Sequence, residues 1–243
     1  MQQITIDHRF RGPATSANGG YASGYLSRFI EGPAEVTLRA PPPLDQPLNV
    51  IETDGIVQLR DGDTLLAEAK TVSLDDFDVP AGPDLEEAKQ AREMAYDATS
   101  SDSDFNQCFT CSRNRTPDDA LCLWAGPVPN GAAHMHATPW RVHESLSDLD
   151  GAVAPEFVWA ALDCPGIHAL FSDGVAGQYT LLGRMACEIF ERPQRGDTCI
   201  VASWPGASEG RKHFATTALF SQNGMLMAKA RQIWISVSTP DPS

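Results

Sequence analysis

The chain has 243 residues, with 18 Lys and Arg against 32 Asp and Glu, a formal net charge of −14 and an isoelectric point near 4.7. So acidic a surface disfavours nucleic acid and anionic membrane as partners, but leaves room for a small anionic substrate at a local basic patch. No apolar run approaches the roughly 20 residues that span a bilayer, the first eight residues lack the regions of a secretory signal, and six irregularly spaced cysteines fit reduced thiols, so a soluble, cytoplasmic protein with no membrane contact is expected.

In chain order, residues 4–11 alternate well enough for a strand. Residues 17–28 then turn sharply into a helix. Asn18 suits its N-cap, and Gly19 and Gly20 leave bare backbone where the first amides lack partners and the helix dipole is positive. Such a start can hold an anion or the oxyanion of a carbonyl under attack. The same residues also fit a buried helix with no chemistry. Gly24 inside the helix costs on the order of 1 kcal/mol against alanine, which calls for a close neighbour, expected to be a sheet. Gly32 and Pro33 end the helix. Strands follow over 35–40, 48–53, 55–60 and 65–74, with a hairpin turn at Asp61-Gly62-Asp63.

Residues 81–104 break the pattern and read as a linker carrying one charged surface helix over 84–96. Strands are expected again over 120–125 and 137–144, a helix over 153–170 that Pro165-Gly166 ends early, and strands over 179–190, 198–204, 212–221 and 225–237. Residues 59–70 lie over 220–231, and the proline-containing exit 40–48 over 190–198, so the chain reads as a unit of roughly 100 to 120 residues used twice. The halves are 1–80 and 105–243.

The order of elements and several motifs resemble the hotdog-fold acyl-CoA thioesterases. Asn18-Gly19-Gly20 is similar to the His-Gly-Gly or Phe-Gly-Gly that opens their central helix. Cys108-Phe109-Thr110-Cys111, followed by Ala120-Leu121-Cys122-Leu123, resembles the Cys-Phe-x-Cys-Gly…Gly-Leu opening of another branch, with Ser112 in place of the glycine. The segments 191–197, 210–212 and 224–235 look like the corresponding strands and turns. The resemblance implies an α+β tandem double hotdog, two antiparallel sheets each wrapping one central helix. It also implies thioester hydrolysis of an acyl-CoA without a cofactor, in a chain able to pair as a homodimer.

The family holds the thioester oxygen on amides at one helix start, with a carboxylate about two turns into the partner helix as base or nucleophile. In the first half Gly19 offers the amide, but Ser27 stands eight residues on. In the second half Pro155, which has no N–H, matches Gly19, and Asp163 stands eight residues on. One composite site of Asn18, Gly19 and Gly20 against Asp163 is therefore expected, and a dead pseudo-site between Ser27 and Pro155. Burial among Trp159, Leu162 and Ile167 would raise the Asp163 pKa and suit a base.

The resemblance further implies that Gln232 orients water, although the aspartate that accompanies it in the family falls near Met185 here. Arg211 and Lys212, with Arg184 and Arg195, are candidates for CoA phosphates. Tyr21, Tyr25 and Trp159 are candidates for the acyl pocket. Cys108 and Cys111 with Cys122, His134 and His136 match no standard zinc spacing, so packed free thiols and no metal are expected. A hydratase would need an Asp/His pair, for which only Asp7-His8 offers itself. A non-catalytic acyl binder would keep the fold without the chemistry.

Overall fold

A computed structural model describes residues 2–97, 103–129, 131–171, 175 and 179–238. Its elements are β1 (Gln2–Thr5), α1 (Gly19–Ser27), β2 (Ala34–Leu38), β3 (Pro47–Thr53), β4 (Ile56–Asp61), β5 (Thr64–Thr71), α2 (Leu85–Glu93), β6 (Gly126–Pro127), β7 (His136–Arg141), α3 (Pro155–Leu170), β8 (Thr180–Ile189), β9 (Thr198–Glu209), β10 (Lys212–Ser221) and β11 (Leu226–Ser236). Inward-facing Leu48 and Val50 on β3, and Val57 and Leu59 on β4, carry the alternation that makes these segments strands. Asp54 and Gly55 join them with φ of 52° and 75°, the positive pair that a two-residue hairpin turn requires.

Among the described residues the eleven strands form one sheet, in the order β1-β3-β4-β5-β2-β8-β11-β10-β9-β7-β6. The two separate sheets expected from the sequence are joined, because β2 pairs with β8 from Ala34 opposite Cys187 to Thr37 opposite Arg184. Leaving aside the two-residue β6, the pairing order from either edge is the same: β1-β3-β4-β5-β2 from one side, β7-β9-β10-β11-β8 from the other. The first strand stops at Thr5 because Asp7 caps a short 3₁₀ turn, accepting from Arg9 N at 2.7 Å. Residues 120–125 are irregular rather than a strand.

α1 and α3 pack side by side against the sheet and run antiparallel. The neighbour that the glycines of α1 make room for is α3, not a sheet. A Cβ on Gly20 would sit 2.5 Å from Asp163 Cβ, and one on Gly24 would sit 2.6 Å from both Glu156 Cα and Trp159 Cβ. α3 runs unbroken through Pro165 to Leu170, and every residue after Pro155 is buried. α2 lies at the surface with one face docked on the sheet. Ala88 and Ala91 are fully buried against Ala137, Ala202 and Ala218 on the reverse face of β7, β9 and β10.

Candidate active site

Asn18 reaches its position by capping α1: Tyr21 N donates to Asn18 Oδ1 at 2.9 Å. That leaves its amide nitrogen free to point across the helix pair, where Asn18 Nδ2 donates to Asp163 Oδ2 at 2.8 Å and Gly20 N to the same oxygen at 3.0 Å. The expected meeting of the α1 entry with Asp163 is therefore present, with one correction. The Gly20 amide is committed to the carboxylate and is not a free oxyanion donor. Gly19 N, the first amide of α1, has no backbone partner within the helix, and Gly19 lines the cavity.

Asp163 is 2% exposed. Its Oδ1 has no hydrogen-bond partner among the described residues. Burial pushes its carboxyl up to about 7, against the opposing pull of the Gly20 N–H and the Asn18 amide. The cavity beside it encloses about 280 Å³. Asn18, Gly19, Cys108, Asp163 and Cys164 form its polar end; Leu38, Leu182 and Trp234 are among its apolar walls, and half-exposed Arg39, paired with Glu68, borders it.

Gln232 does not reach this cavity. Its Nε2 donates to Leu162 O at 2.6 Å and to Asp163 O at 3.1 Å, and its Oε1 accepts from Trp234 Nε1 at 2.9 Å. Gln232 thus donates to two successive carbonyls of α3 and braces the turn that carries Asp163. The glycine at 166 is needed for that contact, since a Cβ there would lie 1.7 Å from Gln232 Oε1.

Other expected residues fall elsewhere. Arg211 and Lys212 are exposed at the β9–β10 turn and do not line the cavity, nor does Arg195. Arg184 donates to Thr37 Oγ1 at 3.0 Å, on the β2–β8 seam. Tyr21 stacks on Phe10 at 4.1 Å inside an aromatic cluster with Phe109 and Phe157. Tyr25 lies under Arg28. Neither tyrosine lines the cavity. Trp159 lines a second cavity of about 480 Å³ at the opposite end of the helix pair, together with Ser27, Arg28 and Pro155. There Ser27 Oγ donates back to Gly24 O at 2.8 Å, and Arg28 pairs with buried Glu156 at 2.9 Å.

Asp7 and His8 are exposed on the surface. Cys108 and Cys111 lie with Cys164 rather than with Cys122, His134 or His136. Sequence reasoning missed Arg39 and Cys164 as residues that line the cavity with Asp163. The position of Cys164 directly after the acid was the available signal.

A scan against protein-family models gives no match, and neither does a search of curated proteins. Solved structures do match over the whole chain. A tesB protein from Mycobacterium avium subs paratuberculosis is 16% identical, with 98% of this chain and 91% of that chain covered and a TM-score of 0.61. Acyl-CoA thioesterase II TesB2 from Mycobacterium marinum is 11% identical, with 98% and 93% covered and a TM-score of 0.59. A protein described as having a hot dog fold, from Alicyclobacillus acidocaldarius, is 8% identical, with 98% and 93% covered and a TM-score of 0.62. This chain shares the fold of those proteins, a hotdog fold.

Proposed function

We propose that the chain is an acyl-CoA thioesterase-like hydrolase with one working site, where the start of α1 meets Asp163. The observation that carries this reading is a buried carboxylate held on one oxygen by Gly20 N and Asn18 Nδ2, its other oxygen unpartnered, in a residue lining a largely apolar cavity that the α1 N-terminus also borders. The names of the similar structures support it.

In this reading Asp163 Oδ1 takes a proton from water as the water oxygen attacks the thioester carbonyl carbon. The oxyanion that develops meets Gly19 N–H at the positive end of the α1 dipole. The C–S bond then breaks, and the sulfur leaves as a thiolate that takes up a proton. Asn18 and Gly20 fix the carboxylate, Gln232 braces its turn, and the acyl chain runs along Leu38, Leu182 and Trp234. Arg39, rather than Arg211 or Lys212, is placed to meet a phosphate of CoA.

The chain is then a tandem double hotdog, residues 1–80 and 105–243, whose identical strand order reflects duplication. The Ser27–Pro155 end has neither an acid on α1 nor an N–H at Pro155 and is inactive. Six unpaired cysteines fit a reducing cytoplasm.

Thiol release from a panel of acyl-CoAs of increasing length, with wild type and Asp163→Asn side by side, tests the proposal. Activity that falls by at least about 100-fold in a folded Asp163→Asn supports it. Full activity in that variant, or none in wild type on any acyl-CoA, overturns it.

A further inference from the structure

Three thiols meet at the polar end of the cavity. Cys108 and Cys111 come from the loop that precedes β6, and Cys164 from α3. Their sulfurs all lie within 4.8 Å of one another, and Cys108 Sγ stands 3.7 Å from Cys164 Sγ. The three residues are 1%, 5% and 7% exposed. A tetrahedral thiolate site with metal–sulfur bonds of about 2.3 Å has its sulfurs about 3.8 Å apart, so the Cys108–Cys164 separation already fits, and closing Cys111 onto the set needs about an ångström at most.

The remaining cysteines are not part of such a set: Cys122, Cys187 and Cys199 are absent from the cluster. The loop gives two ligands two residues apart and the helix gives the third, so the sulfurs come from independently anchored elements. Asn18 Nδ2 lies 3.8 Å from Cys108 Sγ and offers a donor to a negatively charged sulfur there. Cys108 and Cys164 both line the cavity, which leaves the fourth coordination position facing it, as in zinc sites that keep an open position.

We infer that Cys108, Cys111 and Cys164 form a three-thiolate site for a soft d¹⁰ cation such as Zn²⁺, with the fourth position open to the cavity beside Asp163. The site stands on its own geometry and does not depend on the hydrolase reading. Three thiols release their protons to the solvent as the cation binds, and no oxidation occurs. Where the hydrolase reading also holds, an occupied site narrows the space beside Asp163, and added Zn²⁺ inhibits thiol release until a chelator removes it.

The test is titration of the reduced, metal-free full chain with Co²⁺, read by absorption, and with Zn²⁺, read by protection of thiols. One equivalent of Co²⁺ giving tetrahedral visible bands and a sulfur-to-metal ultraviolet band is expected, unchanged in Cys122→Ser and lost in Cys111→Ser. An octahedral spectrum, no retained metal, or an undiminished spectrum in Cys111→Ser overturns the inference. Should Cys111→Ser misfold, alkylation of wild type followed by peptide mapping decides. Zn²⁺ shielding Cys108, Cys111 and Cys164 while leaving Cys122 as reactive as before supports the site; equal reactivity with and without Zn²⁺ overturns it.

Discussion

Replacing Gly24 by alanine sets two effects against each other. In an exposed helix the change would stabilise by about 1 kcal/mol through helix propensity. Here the new Cβ would stand 2.6 Å from Glu156 Cα and from Trp159 Cβ, whereas carbon atoms pack at about 3.5–4.0 Å. Both obstacles are backbone or the root of a side chain, so neither can swing aside, and α1 and α3 must part by roughly 1 Å. Overpacking of this kind costs about 1–3 kcal/mol and sometimes more, so steric strain wins and the net loss is about 1 kcal/mol. For a chain of this size that lowers Tm by roughly 2–4 °C. The same separation stretches the contacts of 2.8 and 3.0 Å that hold Asp163 Oδ2. Misplacement on this scale costs on the order of 100-fold in rate. Thermal melts and thiol-release assays on the purified variant read both effects. A Gly24→Ala protein that melts at or above the wild-type temperature with full activity would refute the helix-contact argument.

Gln232→Leu is expected to lower kcat more than it changes KM, because it frees the turn carrying Asp163. It should also destabilise by roughly 1–3 kcal/mol for each buried partner left unsatisfied, read by urea unfolding; unchanged kcat would remove Gln232 from the positioning of the acid. His168 is buried, and burial, with repulsion from His136, holds its pKa down to about 4, while Ala125 N donates to its Nδ1 at 3.2 Å. Its depressed pKa contributes stability that is present above about 6.5 and lost as pH falls toward 4. Against a folded His168→Gln control, which cancels all other titrations, wild type should lose about 2 kcal/mol more between pH 7 and pH 5, and parallel stability curves would contradict this. Arg28→Met leaves Glu156 buried without its cation, and burial already raises that carboxyl. Because Arg28 is itself partly exposed, the loss should be about 1–2 kcal/mol rather than the full penalty of a buried pair. It should shrink as pH falls, because protonation relieves a carboxyl that burial already raises; denaturant midpoints at high and low pH check the sign.

What could be read from the sequence was local or periodic. The Asn18 cap, the bare glycines behind it and Asp163 eight residues beyond Pro155 depend on helix geometry that a few residues specify. The burial that raises Asp163 was visible in Trp159, Leu162 and Ile167 around it. What failed was direction and long-range pairing. Tyr21 follows Gly20 in sequence, yet a helix turns about 100° per residue, and its ring faces Phe10, Phe109 and Phe157 instead of the cavity. Trp159 lies one turn before Asp163 and serves the far cavity. The fusion of the sheets rests on an edge-to-edge contact of β2 with β8, which neither strand announces. The brace from Gln232 joins residues 70 apart in the chain for Leu162 O, a pairing that no local pattern records.

The antiparallel helix pair has two ends, and in this chain they differ: Gly20 faces Asp163 at one, Pro155 lies near Ser27 at the other. Two identical chains joined in the same way would carry every substitution at both ends at once, so a change that suited one role would be forced on the other. Joined in one polypeptide, the ends are free to drift apart. Arg28 and Glu156 form an ion pair at the end to which the proposed mechanism assigns no catalysis. If the proposed site is the working one, the molecule gives up half of its possible turnover sites per unit mass, and it gains a second cavity whose residues are under no obligation to the first.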